Sequence, residues 1–91
     1  MTGPSAVVTA APMGVRGTLA DLCAGESAGV VALDLPDAIA QRLMELGFLA
    51  GCRVTALRPA PGGDPRVFEV DGSEVALRRE TARRIHVEIE R

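Results

Sequence analysis

The 91-residue sequence has no Lys, Trp or Tyr, and its only aromatic side chains are those of Phe48 and Phe68. Surfaces that stack single-stranded nucleic acid need several exposed rings, and so do the grooves that bind polyproline segments. The formal net charge of −2 also disfavours general nucleic-acid binding, in which a protein neutralises several phosphates. We therefore expect no nucleic-acid partner and disfavour an RNA-binding barrel.

Long hydrophobic runs are missing as well. No apolar stretch approaches the roughly 20 residues that a membrane-spanning helix needs. The segment from Met1 to Pro12 has no Lys or Arg and no uninterrupted apolar stretch of the kind that signal peptides carry. We therefore expect a cytoplasmic protein without direct membrane insertion, which reaches the inner membrane, if at all, through a partner.

Cysteine is scarce, with Cys23 and Cys52 far apart in the chain. Neither belongs to a CxxC pair or to another spacing typical of metal ligands. A disulfide is not expected in a reducing compartment. We interpret both cysteines as small buried hydrophobic residues.

Residues 1–16 are rich in Ala, Gly, Pro and Val and show no hydrophobic period. We predict a disordered N-terminal tail over residues 1–16 and one folded domain over residues 17–91. The domain begins with a helical turn, Thr18–Leu22, in which Thr18 and Asp21 form a weak capping box. The Val- and Ala-rich segment Ser27–Leu33 predicts a strand.

The clearest helix runs from Pro36 to Leu46, because proline suits the first helical position and Gly47 suits the position after the end. One apolar stripe with spacings of four, four and three is predicted to face the core, with Leu43 and Leu46 packing the helix on the sheet. This stripe comprises Leu35, Ile39, Leu43 and Leu46. A second, narrow apolar strip contains Ala40, Met44 and Phe48.

After Gly51 the hydrophobic period changes from 3.6 to 2, which indicates strands. Asp71-Gly72 is a strong hairpin signal, and Glu80–Arg84 favours a short helical turn. The pattern predicts a mainly β fold, a five-stranded barrel with one inserted α-helix and one or two short helical turns. Its predicted core consists of alternating apolar residues, namely Val54, Phe68, Val70, Val75, Leu77, Ile85, Val87 and Ile89.

Four groups of residues together resemble the FeoA family over about Leu19 to Ile89. They are Leu19-Ala20-Asp21-Leu22 with Gly25-Glu26, then Arg42-Leu43-Met44-Glu45-Leu46-Gly47-Phe48 with Gly51, then Gly63-Asp64-Pro65, and Val75-Ala76-Leu77-Arg78. Their order and spacing carry the resemblance. The sequence departs from the family at Ala50, where the family often has Pro, and in its N-terminal tail.

The resemblance implies an SH3-like barrel and a cytoplasmic accessory role in ferrous iron uptake, in which the protein binds the membrane GTPase transporter FeoB. One alternative is a detached SH3-like domain of the DtxR-type repressor kind, acting in metal-dependent regulation. Another is a weak metal-binding carrier. The oligomeric state stays open.

Residues with catalytic or metal-binding chemistry are few. No nucleophile–base pair is visible, and Gly62-Gly63-Asp64 lacks the Lys-Ser/Thr and the helix of a phosphate-binding loop. We therefore expect no enzyme activity and no cofactor. One face of the last predicted strand carries three possible metal ligands, His86, Glu88 and Glu90. We interpret them as a solvated face and predict no metal site.

The predicted partner-binding surface combines an apolar anchor with a charged rim, which is how interfaces divide affinity from steering. The anchor is the apolar strip Met44–Phe48, which does not belong to the main apolar stripe of the helix. The rim is a local concentration of positive charge that can pair carboxylates. The residues assigned to this surface are Met44, Phe48, Arg78, Arg79, Arg83 and Arg84.

Overall fold

The computed structural model describes residues 14–58 and 61–90. Strands alternate with short helical segments along the chain. The elements are β1 (Gly14–Thr18), a 3-10 turn (Leu19–Asp21), β2 (Ser27–Leu33), α1 (Asp37–Glu45), β3 (Arg53–Ala56), β4 (Arg66–Val70), β5 (Ser73–Leu77), α2 (Arg79–Ala82) and β6 (Ile85–Glu90).

Six antiparallel strands form one sheet in the order β1-β6-β2-β3-β4-β5. The buried side chains of these strands belong to one hydrophobic cluster, as expected for a sheet that curls around a single core. The predicted mainly β fold with a few short helical segments is confirmed. The strand number is six rather than the predicted five.

The additional strand is β1, and three of its residues fall in the segment that the sequence assigned to a disordered tail. It pairs with β6, with Val15 opposite Ile89 and Arg16 opposite Glu88. Its sequence, Gly-Val-Arg-Gly-Thr, has no clean alternation, so its conformation depends on its neighbour. The tail boundary at residue 16 is therefore wrong. Residues 1–13 lie outside the described residues, and disorder there stays a prediction.

The 3-10 turn is capped as the sequence predicted. The Asp21 carboxylate accepts a hydrogen bond from the backbone N–H of Thr18 at 2.9 Å. The turn carries Leu19 and, just after it, Leu22, and both side chains are fully or almost fully buried. Arg66 of β4 donates a hydrogen bond to the carbonyl of Leu22, and its guanidinium lies 5.6 Å from the ring centroid of Phe68. These contacts tie the turn to the far side of the sheet.

The predicted core is confirmed. All eight predicted core residues are buried except Val75, which is half-buried and packs against the same cluster. Each full burial of such a side chain contributes about 1.5–3 kcal/mol relative to exposure. The sequence did not assign Leu19, Leu22 or Ala82 to this core, although all three side chains belong to it.

Helix α1 packs with a different face from the predicted one. Its buried residues are Ala40 and Leu43, whereas Ile39 and Leu46 are exposed by 46% and 48%. The prediction that Leu46 packs the helix on the sheet is therefore wrong. The small side chain of Ala40 lets the helix approach closely, which turns Ile39 and Leu46 away from the core.

The conformation at the end of α1 also places Phe48 differently from the sequence-based prediction. The N–H of Gly47 bonds to the carbonyl of Met44 and the N–H of Phe48 bonds to that of Leu43, both at 3.0 Å, while Gly47 has a φ of 115°. This is a Schellman motif, which commonly brings the residue after glycine against the last turn of the helix. Phe48 is consequently buried with Leu43 in the core and does not continue the Met44 strip.

The two cysteines differ from their predicted burial. Cys23 is exposed and Cys52 is half-buried, and both are free thiols. Cys23 lies in a tight turn, where its N–H donates to the Glu26 carboxylate at 2.8 Å. Such a turn leaves the side chain outside, so the prediction of two buried cysteines is wrong.

Candidate functional site

A groove of about 730 Å³ lies between the start of α1 and helix α2. Strands β2 and β6 pair with Leu33 opposite Ile85, so the residues that follow β2 face the residues that precede β6. The groove is lined by eight residues from these two segments, namely Asp34, Leu35, Pro36, Ile39, Glu80, Thr81, Arg83 and Arg84. We call it the α1–α2 groove.

The two walls of the α1–α2 groove are joined by a backbone hydrogen bond. The N–H of Asp34 donates to the carbonyl of Arg84 at 2.8 Å. The start of α2 is held in turn by Asp64, whose carboxylate accepts from the N–H of Arg79 at 2.9 Å. Ala82, on the inner side of α2, is fully buried. The groove is therefore anchored to the sheet on both sides.

The groove is lined by positively and by negatively charged side chains. Arg83 and Arg84 are exposed, and within the described part of the chain neither side chain forms an ion pair. Asp34 and Glu80 supply two negative charges to the same lining. Arg78 and Arg79, at the start of α2, are exposed as well. Positive charge therefore surrounds α2, as the sequence predicted for the four arginines.

The apolar part of the predicted partner surface is corrected by the structure. Phe48 has no exposed area, so it cannot contact a partner in this fold, whereas Met44 is 41% exposed. Met44 lies in a separate shallow depression with Asp37, Ala40, Gln41 and Glu45. On α1, Met44 and Ile39 lie on opposite sides of the buried seam of Ala40 and Leu43. Arg83 and Arg84 share their groove with Ile39 and not with Met44.

Ile39 is the site residue that the sequence analysis missed, because the apolar stripe was assigned entirely to the core. One signal was available. Within the nine-residue helix, Ile39 and Leu43 belong to one apolar strip and Ala40 and Met44 to a second. Together the two strips have more apolar surface than one packed side covers. Some of this surface had to remain outside.

Two of the three possible metal ligands of β6, Glu88 and Glu90, are engaged by arginines. Arg53 binds both carboxylate oxygens of Glu90 at 2.9 Å, and Arg16 lies 3.6 Å from Glu88. The hydrogen bond from Arg53 lowers the pKa of Glu90 and outweighs partial desolvation. The same hydrogen bond raises the pKa of Arg53. No three His, Cys, Asp or Glu side chains within residues 14–58 and 61–90 are arranged to hold a metal ion.

The helices of the described segments are short, and none of them is long and apolar enough to cross a membrane.

A family model named FeoA domain matches residues 17–89, a range that contains β2 to β5, most of β6 and both walls of the α1–α2 groove. The chain belongs to the FeoA family. The resemblance inferred from the sequence is therefore confirmed, and a fusion protein with the transporter FeoB links this family to ferrous iron transport.

One relative joins a FeoA part to a transporter. It is a Fe(2+) transport protein A/Fe(2+) transporter FeoB fusion protein of Porphyromonas gingivalis, 34% identical over 71 residues. The match covers 78% of this chain but 8% of the fusion protein. The chain thus spans only a small part of the relative that it matches.

Solved FeoA structures have the same fold. The FeoA protein of Chlorobium tepidum is 38% identical with a TM-score of 0.76, over 79% of this chain and 69% of that one. The FeoA of Stenotrophomonas maltophilia, solved with zinc and described as a prokaryotic SH3 domain protein, is 42% identical with a TM-score of 0.68, over 77% and 87%. A manganese-dependent transcriptional repressor, 18% identical with a TM-score of 0.71, shares the fold alone, over 85% of this chain and 43% of the repressor.

Proposed function

We propose that this protein is a non-enzymatic accessory protein of ferrous iron uptake that binds the transporter FeoB on the cytoplasmic side of the membrane. The observation that carries the proposal is the Porphyromonas gingivalis protein, in which a FeoA part and FeoB belong to one polypeptide. Two domains that are fused in one organism act next to each other there. A FeoA domain would contact FeoB through a binding surface on its own fold.

The role proposed for this chain is recognition rather than chemistry. Ferrous iron is the cargo of the transporter, and the fusion protein has most of its length outside the part that this chain matches. Transport therefore belongs to FeoB, and this domain contributes contacts. Its exposed arginines around α2 and its exposed aliphatic side chains on α1 supply the polar and apolar elements that protein interfaces use.

The proposal is tested with purified FeoB of the same organism, reconstituted in nanodiscs, and the full-length chain immobilised on a sensor. We expect reversible, saturable binding with a Kd in the micromolar range or tighter. An unrelated membrane transporter in the same nanodiscs is the control for binding to lipid or scaffold. If FeoB nanodiscs bind no better than this control, the proposal is wrong.

Metal binding is the second candidate function, and the zinc complex of the Stenotrophomonas maltophilia relative is the observation that favours it. Isothermal titration of this chain with Zn(II), and with Fe(II) under argon, separates the two functions. Tight stoichiometric binding would favour a metal carrier. Our proposal expects at most weak binding, because Arg16 and Arg53 already engage Glu88 and Glu90.

A further inference from the structure

We propose that the α1–α2 groove binds a segment of FeoB in which an acidic side chain stands beside a branched aliphatic one. This inference rests on the proposed function, since it names the surface and the chemistry by which FeoB would be bound. Three features of the groove carry it, namely an aliphatic wall, an arginine wall and the backbone contacts that hold the two walls next to each other.

The aliphatic wall belongs to the start of α1. Ile39 leaves nearly half of its surface exposed although the neighbouring turn of the helix is packed on the core. Leu35 and Pro36 line the same groove next to it, and Leu46 extends the exposed aliphatic side two helical turns further. A branched aliphatic side chain of a partner gains free energy by covering this wall, because apolar area leaves water.

The arginine wall is formed by α2 and the two residues that follow it. Between residues 78 and 84 the chain has four Arg and one Glu, which gives +4 − 1 = +3. Arg83 and Arg84 face the groove and have no ion-pair partner in the described segments. A carboxylate accepts two parallel N–H bonds from one guanidinium, so an acidic side chain fits this wall. Asp34 and Glu80 repel it from the remaining lining and thereby direct it to the arginines.

The backbone segments that carry the two walls are joined to each other. The Asp34–Arg84 backbone bond at 2.8 Å and the pairing of Leu33 with Ile85 hold both segments on adjacent strands. A binding surface that is already ordered loses little conformational entropy on association. A partner segment therefore meets an aliphatic wall and an arginine wall that are held next to each other.

The shape of the site favours a protein segment over anionic lipid head groups. Ile39, Leu35 and Pro36 line a groove between two walls rather than one flat face. An extended or helical segment of a protein can enter such a groove and place two different side chains on its two walls.

The first test uses two pairs of variants in the FeoB nanodisc assay. Ile39→Ala is paired with Val15→Ala, since Val15 is 44% exposed on β1 beside Ile89, at the opposite end of β6 from the groove. Arg84→Glu is paired with Arg58→Glu, an exposed arginine outside the groove. We expect Ile39→Ala to raise Kd about five-fold or more, mainly through faster dissociation. Arg84→Glu should slow association and weaken its salt dependence, and both control variants should bind like the parent.

The second test identifies the partner segment directly. A benzoylphenylalanine placed at position 39 is irradiated in the complex with FeoB nanodiscs, and the cross-linked FeoB peptide is sequenced by mass spectrometry. We expect one peptide in which Asp or Glu lies within about four residues of Leu, Ile or Val, the reach of neighbouring side chains on one helical face. The same probe at position 44 should give a much lower yield.

The outcomes separate this inference from the proposed function. If the parent binds FeoB but the groove variants bind equally well, or if Met44→Ala weakens binding instead, the groove is the wrong surface and the proposed function stands. If the parent does not bind FeoB, the proposed function fails and this inference fails with it. The parent is also tested with vesicles that contain phosphatidylglycerol. If it binds them and both Ile39→Ala and Arg84→Glu lose this binding, the groove binds a lipid surface and the proposal of a protein segment is wrong.

Discussion

Strand β6 and helix α1 both carry a periodic pattern of apolar and polar residues, but only in β6 does every apolar residue reach the core. Ile85, Val87 and Ile89 are fully buried or nearly so, whereas α1 leaves Ile39, Met44 and the adjoining Leu46 exposed. A strand between two neighbours has its inner face defined by hydrogen bonding on both edges. A short helix touches the sheet along one seam, and its rotation depends on which side chain permits the closest approach. The surplus aliphatic surface for binding therefore arises on α1.

The largest effect that tests this comparison is expected at Phe48, which the sequence placed on a surface and the structure places in the core. Phe48→Ala should lower the free energy of unfolding by about 3–5 kcal/mol, because it removes a buried ring and leaves a cavity. Such a loss is a large part of the stability of a small domain. Urea denaturation followed by circular dichroism measures it. A loss of only a few tenths of a kcal/mol would contradict the burial of Phe48.

The next prediction applies one substitution to both sides of the comparison. Leu77 in β5 is 7% exposed, while Leu46 at the end of α1 is 48% exposed. Leu77→Ala should cost about 2–5 kcal/mol, and Leu46→Ala should stay within about 0.5 kcal/mol of the parent. Equal losses at the two positions would contradict the rotation of α1 described above.

A smaller effect is expected from pH, at the outer face of β6. The pKa of Glu90 is lowered by its hydrogen bond from Arg53, so the folded state binds this proton more weakly than the unfolded state. The resulting stabilisation is fully present above the ordinary glutamate pKa of 4.5 and is lost as the pH falls through the lower folded value. Both side chains are exposed, so the contribution is small.

Melting temperatures of the parent and of Glu90→Gln between neutral and acidic pH test this prediction. The variant should lose less stability than the parent as the pH falls from about 5 towards 3. Glu45→Gln, at an exposed position of α1, controls for the removal of one carboxylate. An identical pH dependence in the parent and in Glu90→Gln would contradict a stabilising role of the Arg53–Glu90 pair.

The core strands could be predicted from the sequence because their alternation has one physical solution. A shift of one residue in β6 would expose Ile85, Val87 and Ile89 together. Strand β1 could not be predicted, since Gly14 and Gly17 interrupt its pattern and its conformation depends on pairing with β6. The local sequence pattern does not show which strand a segment pairs with.

The candidate site was predicted only on its charged side. Four arginines in a short segment are visible in any sequence, and all four are exposed. The aliphatic side was assigned to Met44 and Phe48, because a helical wheel extends the helix past Gly47 and ranks residues by hydrophobicity alone. The Schellman motif at Gly47 and the close approach at Ala40 decide these positions, and both depend on three-dimensional packing.

The central claim, that FeoB binds at the α1–α2 groove, is tested most directly by backbone amide NMR of the labelled chain during titration with FeoB nanodiscs. We predict that amide signals from residues 34–39, apart from Pro36, and from residues 80–84 lose intensity first, and that signals from β1 and from β3 are affected least. Uniform broadening, or losses centred on Met44 and Glu45 with the groove unchanged, would contradict the account.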